Sequence, residues 1–480
     1  MPKQAGKLRA FLNRSSTPGH IPNKAKFFLA FPQMPVALSN TLIHNAYIKF
    51  YTDMVGLDVE YVGVLYFVFG IWNAINDPLL GAFIDRLKYN EKRGKYAYLM
   101  RVTAPVTLLS SFAMVFAQPS WQDWVIFGFM LALLFVFDTT QTAYSISYAA
   151  YVYVAAPTKE ERVDVSVVST YIGHIGGFFG TIIPTLILVG ETSRTLTVLL
   201  FSAVLILNSV VYVLALKPLK DRAEMYKDDV ESEEGAFAKQ LGQHARDAFT
   251  SRAFVTYIVH QFFRGPTAIY FTAFLYIMDY VLLLDGVRAT IVDVVPGLIM
   301  FACAPTLGKL SKRVGLKRAA IYAAVPLAFG FLSLLIVQDI WQALIAYTVI
   351  AIVNAMGGIV HSPMMGAIVD EDEQRTGIRK AGLFTGLNAL LTIPIGGLHT
   401  VIFTSILSAY TFVSGAQVQS ELALRGIRIG ASVIPFVSIL LSMIPMALSP
   451  IDLERERALS AFSERMHRVA SSPVEVAAGD

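Results

Sequence analysis

The clearest candidate for chemistry inside the apolar stretches of this chain is Asp77. An unpaired carboxylate within a bilayer costs at least about 2.5–3.5 kcal/mol, so such residues are usually retained for a function. Asn73 lies four residues earlier, which puts both side chains on one helical face and favours a shared ligand. Asn76 lies roughly a quarter turn from that face and is expected to support it. The alternative is a hydrogen-bonded Asp77 that only packs helices together.

A second polar run, from Asp138 to Ser145, interrupts another apolar stretch. Asp138, Thr142 and Ser145 recur at helical spacing and therefore form one stripe along the helix surface. Thr142 is expected near the membrane depth of Asp77. The stripe predicts a cavity lining; the alternative is that the hydroxyl groups bond to carbonyls of their own kinked helix.

Arg264 stands in the middle of a further apolar stretch and is followed directly by Gly265 and Pro266. Proline breaks the helical hydrogen-bond ladder, so free carbonyl groups are expected beside a buried cation. This pattern predicts an arginine that recognises an anion or balances charge. The alternative is a structural partner for Asp138 or Asp77.

Further candidates for a substrate cavity are His44, Tyr171 and His361, each within a long apolar stretch. A histidine that hydrogen-bonds between packed helices is an equally good interpretation of His44. Two acids, Asp279 and Asp293, fall near the ends of their stretches and are expected at the membrane interface.

The elements that position these residues must be membrane-spanning helices. Of the 480 residues, 55% are hydrophobic and 15% are charged, whereas soluble proteins carry about 25% charged residues. A soluble core cannot bury so much apolar surface. The polar and basic residues 1–26 do not have the pattern of a cleavable signal peptide.

Missing motifs argue against several function classes. The sequence has no GxxxxGK[ST] motif, so direct ATP drive is not expected, and no HExxH or GxSxG motif, so no catalytic residues are expected. Cys303 is the only cysteine, which rules out an intrachain disulfide and a cysteine-based metal site. We therefore expect no enzyme activity, no cofactor, no metal and no nucleic-acid partner.

Apolar runs between charged or turn-rich breaks predict twelve spans, because a bilayer core requires about 20 apolar residues per helix. The predicted spans are 27–53, 60–84, 97–118, 122–155, 166–190, 195–217, 252–284, 288–311, 318–338, 340–369, 380–411 and 427–449.

The basic residues give these spans an orientation. Most of the 39 Lys and Arg residues lie at loops that share one side of the membrane if the N-terminus is cytoplasmic. The loops on the opposite side, with the span ends beside them, hold only Arg194, Arg288, Arg425 and Arg428. This asymmetry follows the positive-inside rule and predicts that the N- and C-termini are both cytoplasmic.

A repeated motif divides the chain into halves. Gly81 to Arg86, with Arg93-Gly94-Lys95, follows the second span, and Gly308 to Arg318 follows the eighth. A parallel repeat of two six-helix bundles is the organisation of the major facilitator superfamily, so we expect an all-α membrane protein of that fold. The predicted domains are an N-terminal tail (1–26), a six-helix bundle (27–217), a cytoplasmic loop (218–250), a second six-helix bundle (251–450) and a C-terminal tail (451–480).

Five blocks along the chain resemble the glycoside–pentoside–hexuronide:cation symporter family, to which melibiose permease belongs. The blocks are 50–57, 70–81, 146–162, 171–180 and 365–384. The resemblance implies that a solute is carried together with Na⁺, H⁺ or Li⁺ by alternating access.

The resemblance also implies a cation site, since this family combines helix 2 carboxylates with a helix 4 hydroxyl. By position, that site comprises Asp77, Asn73, Asn76 and Thr142. Asn73 replaces an acid of the family pattern, so the site is expected to bind Na⁺ more weakly and to suit a proton as well. The charged residues of the family's sugar site are missing, and their positions are taken by Ala37, Ser145, Thr170 and Ile393.

Charged residues at the cytoplasmic ends of the spans are expected to form ion pairs that break as the bundles move. These gating candidates are Asp85, Arg86, Glu161, Arg162, Asp370 and Arg379. Each surface pair contributes only about 0–1 kcal/mol, so they are assigned a conformational rather than a substrate-binding role.

The sequence thus predicts a secondary active transporter in the plasma membrane that carries a small polar solute, a sugar or glycoside, with a monovalent cation. Its expected partners are that solute, the coupling Na⁺ or H⁺ and the lipid bilayer, and it is expected to be a monomer. The alternatives are an uncoupled or proton-linked carrier of another solute, including an amphiphilic one, and a membrane receptor or scaffold without transport.

Overall fold

The computed structural model describes residues 21–85, 87–156, 159–190, 193–226, 248–377 and 381–471. Apart from one isolated bridge between Asn90 and Gly94, the regular structure in these ranges is helical. The α-helices are α1 (Asn23–Ala30), α2 (Gln33–Thr41), α3 (Tyr47–Lys49), α4 (Val59–Asp85), α5 (Tyr96–Met114), α6 (Asp123–Ala155), α7 (Lys159–Leu188), α8 (Arg194–Leu216), α9 (Arg252–Arg264), α10 (Ile269–Tyr276), α11 (Gly286–Val314), α12 (Leu316–Ser333), α13 (Ile340–Thr376), α14 (Ala381–Ala409), α15 (Glu421–Leu448) and α16 (Leu453–Ser471). Shorter segments are π-helical at Leu42–Ala46, Phe50–Val55 and Ile277–Val281, and 3-10 helical at Ala223–Tyr226 and Gly265–Ala268.

Within the described ranges, nine helices are long and apolar enough to cross a bilayer: α4, α6, α7, α8 and α11 to α15. The other three predicted spans are also helical. Two of them, 27–53 and 252–284, are interrupted by π-helical or 3-10 turns, and the third contains Arg101 and four Ser or Thr residues in α5. An integral membrane protein follows from these helices, while the count of twelve stays a prediction.

The ends of the helices follow from local sequence. The π-helical segment before α4 ends at Gly56, whose φ of 82° is favourable only for glycine. The side chain of Asp339 caps α13, accepting hydrogen bonds from the Trp341 and Gln342 amides at 2.9 Å. That helix ends at Gly377, with a φ of 73°.

The described chain forms two compact units. Unit 1 comprises Met1–Glu231, Phe271–Thr290 and Thr400–Gly426, and unit 2 comprises Ser232–Tyr270, Ile291–His399 and Ile427–Asp480. Five tyrosines belong to the buried core cluster of unit 1, where Tyr144 and Tyr212 pack edge to face with ring centroids 5.5 Å apart. In the core of unit 2, Phe254 packs on Phe384 at 5.0 Å.

Each copy of the repeated motif contains a glycine with a positive φ just before the next helix. Gly94 and Gly315, at the ends of the two copies, have φ values of 87° and 86°, and a helix follows each. Asp221 accepts hydrogen bonds from amides at the start of α5, including that of Lys95 at 3.0 Å. Glu456 accepts one from the Leu316 amide at the start of α12, at 2.9 Å. An acid that follows the last long helix of each half therefore binds the positive end of an equivalent helix.

Candidate functional site

A polar seam between α4 and α6 lies within unit 1 and brings together most of the predicted cation site. The Thr142 hydroxyl on α6 donates to Asp77 Oδ1 on α4 at 2.8 Å. Asp77 is half-buried, so its carboxylate stays accessible while one oxygen is held in place. The two helices thus place Thr142 beside Asp77, as the matched depth of these residues predicts.

Asn73 also contacts Asp77, one turn along the same face of α4. With its amide nitrogen turned toward Asp77, it donates to both carboxylate oxygens at 3.3 Å. With its oxygen turned inward instead, it offers an acceptor to a protonated Asp77 or to a cation held between the two groups. A side-chain amide therefore suits both the free and the occupied state of Asp77.

Asn76 has a different partner, the second carboxylate of the seam. Its amide donates to Asp138 Oδ2 at 3.0 Å, and Thr139 donates to its oxygen at 3.5 Å. Asp138 is only 6% exposed. Asn76 therefore contacts Asp138 rather than Asp77, because it projects from the neighbouring face of α4.

Aromatic side chains border this seam. Trp72 on α4 stacks on Phe135 on α6, with ring centroids 4.5 Å apart and planes 14° from parallel. Ser145, the third member of the predicted stripe, is exposed, whereas Asp138 is buried. The seam as a whole presents two carboxylates with amide and hydroxyl oxygens, a ligand set suited to a small cation or to protons.

A second candidate site, in unit 2, is built around Arg264. The α9 helix ends at this residue and a 3-10 turn follows, so the helix break predicted from Gly265 and Pro266 is confirmed. The Arg264 guanidinium donates to Asn354 Oδ1 on α13 at 2.6 Å. Gly357, one turn further along α13, leaves room for it: a Cβ there would lie 2.9 Å from Arg264 Cζ and closer still to a terminal nitrogen.

Two histidines adjoin this arginine in unit 2. His260 Nδ1 lies 2.8 Å from the Ser442 carbonyl oxygen, and its Nε2 lies 3.2 Å from His361 Nε2. A carbonyl can only accept, so Nδ1 of His260 carries a proton. Nε2 of neutral His260 is then the acceptor, and His361 donates from its own Nε2. The predicted cavity residue His361 thus belongs to an ordered pair that sequence spacing does not reveal.

Two other predicted cavity residues stand apart from these contacts. His44 is exposed and has its ring 5.9 Å from that of Phe69. Tyr171 on α7 is 66% exposed. Their roles in a cavity stay predictions.

The predicted gating residues are partly described. Glu161 is 3% exposed and accepts a hydrogen bond from the Ile21 amide at 2.9 Å, and Asp370 is partly buried on α13. Arg86 and Arg379 lie outside the described residues, and the side chains of Asp85 and Arg162 do so as well.

One charged cluster was not predicted. Lys49 forms ion pairs with Asp53 and with Asp279, the latter at 2.6 Å. The sequence signal was the four-residue spacing of Lys49 and Asp53 within a predicted span. Asp279, which the sequence predicts at the membrane interface, is the second partner of this buried lysine, because its segment lies beside that span in unit 1.

Sequence comparisons find relatives among transporters. The profile of a family described as MFS/sugar transport protein matches residues 28–453. An uncharacterized symporter of Bacillus subtilis (strain 168), YnaJ, is 23% identical over 439 residues, which is 88% of this chain and 90% of that protein.

Solved structures share the fold. The nucleoside transporter NupG (D323A mutant) covers 91% of this chain and 98% of its own, with a TM-score of 0.59 and 14% identity. A D-xylose-proton symporter covers 89% and 98%, with a TM-score of 0.63 and 11% identity. A bacterial homologue of the human lysosomal transporter Spinster covers 92% and 97%, with a TM-score of 0.62 and 12% identity. At these identities the likeness shows the fold alone.

Proposed function

Because this chain belongs to the MFS/sugar transport protein family, we propose that it is a symporter that couples a small polar solute to a monovalent cation. Membership establishes a membrane transporter rather than an enzyme. The curated relative described as a symporter supports coupling. The observation that carries the proposal is the hydrogen bond of Thr142 to Asp77, because it joins two helices around an ionisable group inside the membrane.

In this proposal Asp77 binds the coupling cation. Thr142 and Asn73 contact its carboxylate, and both can turn an oxygen toward a cation. Asp138, held by Asn76, supplies the second negative charge that α4 lacks at position 73. Two carboxylates favour binding of Na⁺ or H⁺ over an empty site, since like charges in a poorly solvated seam repel.

Arg264 is the proposed contact for the solute. Among the described residues, its guanidinium donates to one side-chain acceptor, the neutral amide of Asn354, and a partly buried cation inside a membrane is destabilised without a compensating negative partner. A solute oxygen, above all one of a carboxylate, would supply it. Sugars and glycosides that carry an anionic group, such as uronates, are therefore the proposed class.

The test is transport by the purified protein in proteoliposomes. A thermal-shift screen of neutral sugars, glycosides, uronates and lipid-like solutes, with and without Na⁺, first identifies a ligand, because binding to the native state raises its stability. An imposed Na⁺ or H⁺ gradient is then expected to drive accumulation of that solute.

The decisive variant is Asp77→Asn, with Asp123→Asn as the matched control at the exposed start of α6. Asp77→Asn is expected to abolish gradient-driven accumulation, while the control accumulates solute normally. Unchanged accumulation in Asp77→Asn would remove this residue from the mechanism.

The remaining features of the proposal concern the setting. Twelve spans with both termini in the cytoplasm are proposed on the pattern of charges and the repeat. A location in the plasma membrane and a monomeric state complete the proposal. Cysteines introduced singly into loops, in a Cys303→Ser background, test the topology through their reaction with a membrane-impermeant reagent.

A second candidate function is a proton-linked or uncoupled carrier, including one for amphiphilic solutes. The neutral side chain of Asn73 beside Asp77 favours it, since an amide in place of an acid on that face of α4 weakens Na⁺ binding at Asp77. Asn73→Asp distinguishes the two: if it creates Na⁺ dependence that the wild type lacks, the native coupling ion is not Na⁺.

A further inference from the structure

The Lys49 cluster, formed by Lys49, Asp53, Asp279, Tyr276 and Tyr280, is a buried charge centre separate from the candidate sites. Lys49 is 1% exposed, and its ammonium group is paired with both carboxylates. The rings of Tyr276 and Tyr280 cover it, with centroids 5.1 and 4.4 Å away. Burying the charge of Lys49 costs several kcal/mol, and the two carboxylates and the two aromatic rings offset that cost.

The cluster joins two distant parts of the sequence. Lys49 and Asp53 belong to the first predicted span, whereas Asp279 belongs to the seventh, yet residues 271–290 are part of unit 1. Thr52 and the Tyr276 hydroxyl lie 2.7 Å apart, and the Gly190 amide donates to Asp279 Oδ1 at 2.9 Å. By the predicted topology this end of unit 1 faces the outside.

The backbone around the cluster is unusual. Lys49 stands between two π-helical segments, Leu42–Ala46 and Phe50–Val55, and Asp279 lies in a third, Ile277–Val281. These three are all the π-helical segments of the described residues. Such turns are rare and frequently mark functional sites, because they re-aim side chains within a helix.

The two carboxylates are not equivalent. Asp53 is four residues from Lys49 in the same span, so this pair persists however the halves of the protein move. Asp279 comes from the second half of the sequence, so its pair with Lys49 exists only while the two segments are together. We propose that the Lys49–Asp279 pair is a latch that holds the outer side closed and breaks in each transport cycle.

This proposal rests on alternating access. It also predicts that removing the charge of Asp279 and removing the charge of Asp53 shift the balance between closed and open states in opposite directions. Without the charge at Asp279, the closed state loses an ion pair while the open state keeps Lys49 paired to Asp53. Without the charge at Asp53, opening would leave Lys49 with no carboxylate, so the closed state is favoured more strongly. A purely structural cluster would instead respond to both changes by loosening the fold.

A cysteine at Thr404 can report on opening. Thr404 is 2% exposed and belongs to residues 400–426 of unit 1, and its hydroxyl occupies the space that a Cβ at Gly63 would need. If the segment that carries Thr404 moved away from the helix that carries Gly63, the side chain at position 404 would become exposed. Ser110 is a control, because it is 3% exposed and bonds to the Thr107 carbonyl of its own helix.

The experiment measures maleimide labelling of Thr404→Cys and of Ser110→Cys, each in a Cys303→Ser background, in purified protein in nanodiscs without solute. Each cysteine reporter is compared with and without Asp279→Asn. Asparagine keeps an oxygen that can accept from the Gly190 amide, so this substitution removes only the charge. Labelling at position 404 is expected to rise roughly tenfold, the effect of a shift of about 1.4 kcal/mol, with no change at position 110. Asp279→Glu is expected to restore slow labelling.

Asp53→Asn is expected to leave labelling at position 404 at or below the parent rate. The latch is refuted if Asp279→Asn does not raise that rate, if both reporters rise alike, or if Asp53→Asn acts like Asp279→Asn. Because no solute or gradient is present, these outcomes are independent of the solute and coupling ion proposed above.

Discussion

Adding a methyl group at Gly357 should displace Arg264 without changing its charge. The new Cβ would lie 2.9 Å from Arg264 Cζ, far inside normal contact distance, so the flexible guanidinium must move away from Asn354. A hydrogen bond to a charged group contributes about 1.5–3 kcal/mol. Replacing a helical glycine by alanine stabilises the folded state by about 0.5–1 kcal/mol, because alanine loses less backbone entropy on folding. The expected net loss of unfolding free energy in Gly357→Ala is therefore about 0.5–2.5 kcal/mol.

Gly358→Ala is the matched control, because no atom lies within 4 Å of a Cβ at that position. It is expected to unfold at or slightly above the wild-type temperature, whereas Gly357→Ala unfolds below it. If Arg264 also binds the solute, Gly357→Ala should raise the KM for transport by roughly 10- to 150-fold, with no change in the control. Equal thermal stability and equal KM in the two variants would refute the assigned contact.

Two further predictions concern packing and the polar seam. Gly176→Ala is expected to destabilise unit 1 by about 1–3 kcal/mol in thermal unfolding, because its Cβ would collide with the backbone of Met34. Gly128→Ala is the control, because a Cβ at that position meets open space. Equal melting temperatures of the two variants would contradict this prediction. A double-mutant cycle of Asn76→Ala and Asp138→Ala is expected to give a coupling of about 0.5–3 kcal/mol, because the 3.0 Å hydrogen bond joins them; additive effects would show that the bond contributes nothing.

The sequence predicts contacts well where membrane depth and helical periodicity suffice. Asp77 and Thr142 lie on helices whose apolar lengths fix their depth, and the structure pairs them at 2.8 Å. The break after Arg264 is likewise local, since glycine and proline determine it. Periodicity is less informative about which neighbour a side chain meets. The sequence places Asn76 about a quarter turn from the face of Asp77, but only the structure shows that the group it meets there is the Asp138 carboxylate.

Contacts between remote segments could not be predicted from one sequence. Lys49 and Asp279 are far apart in the chain, and nothing local distinguishes Asp279 from an acid at the membrane interface. The same holds for His260 and His361, whose ring nitrogens meet at 3.2 Å across α9 and α13. Such pairs depend on which helices pack together and in what rotation, and apolar patterning leaves many rotations nearly equal in energy because lipid and protein are similarly apolar.

The charges of the two candidate sites bear directly on coupling. In unit 1, Asp77 and Asp138 are bound by neutral amides and a hydroxyl, and no described Lys or Arg of that unit forms an ion pair with either. In unit 2, Arg264 is bound by a neutral amide, and no described carboxylate of that unit pairs with it. Charges left without counterions inside a membrane are costly, so each site gains most from a ligand of opposite sign. A cation at the seam and an anionic solute at Arg264 would each reduce that cost, which is why symport fits these residues better than uncoupled movement of a neutral sugar.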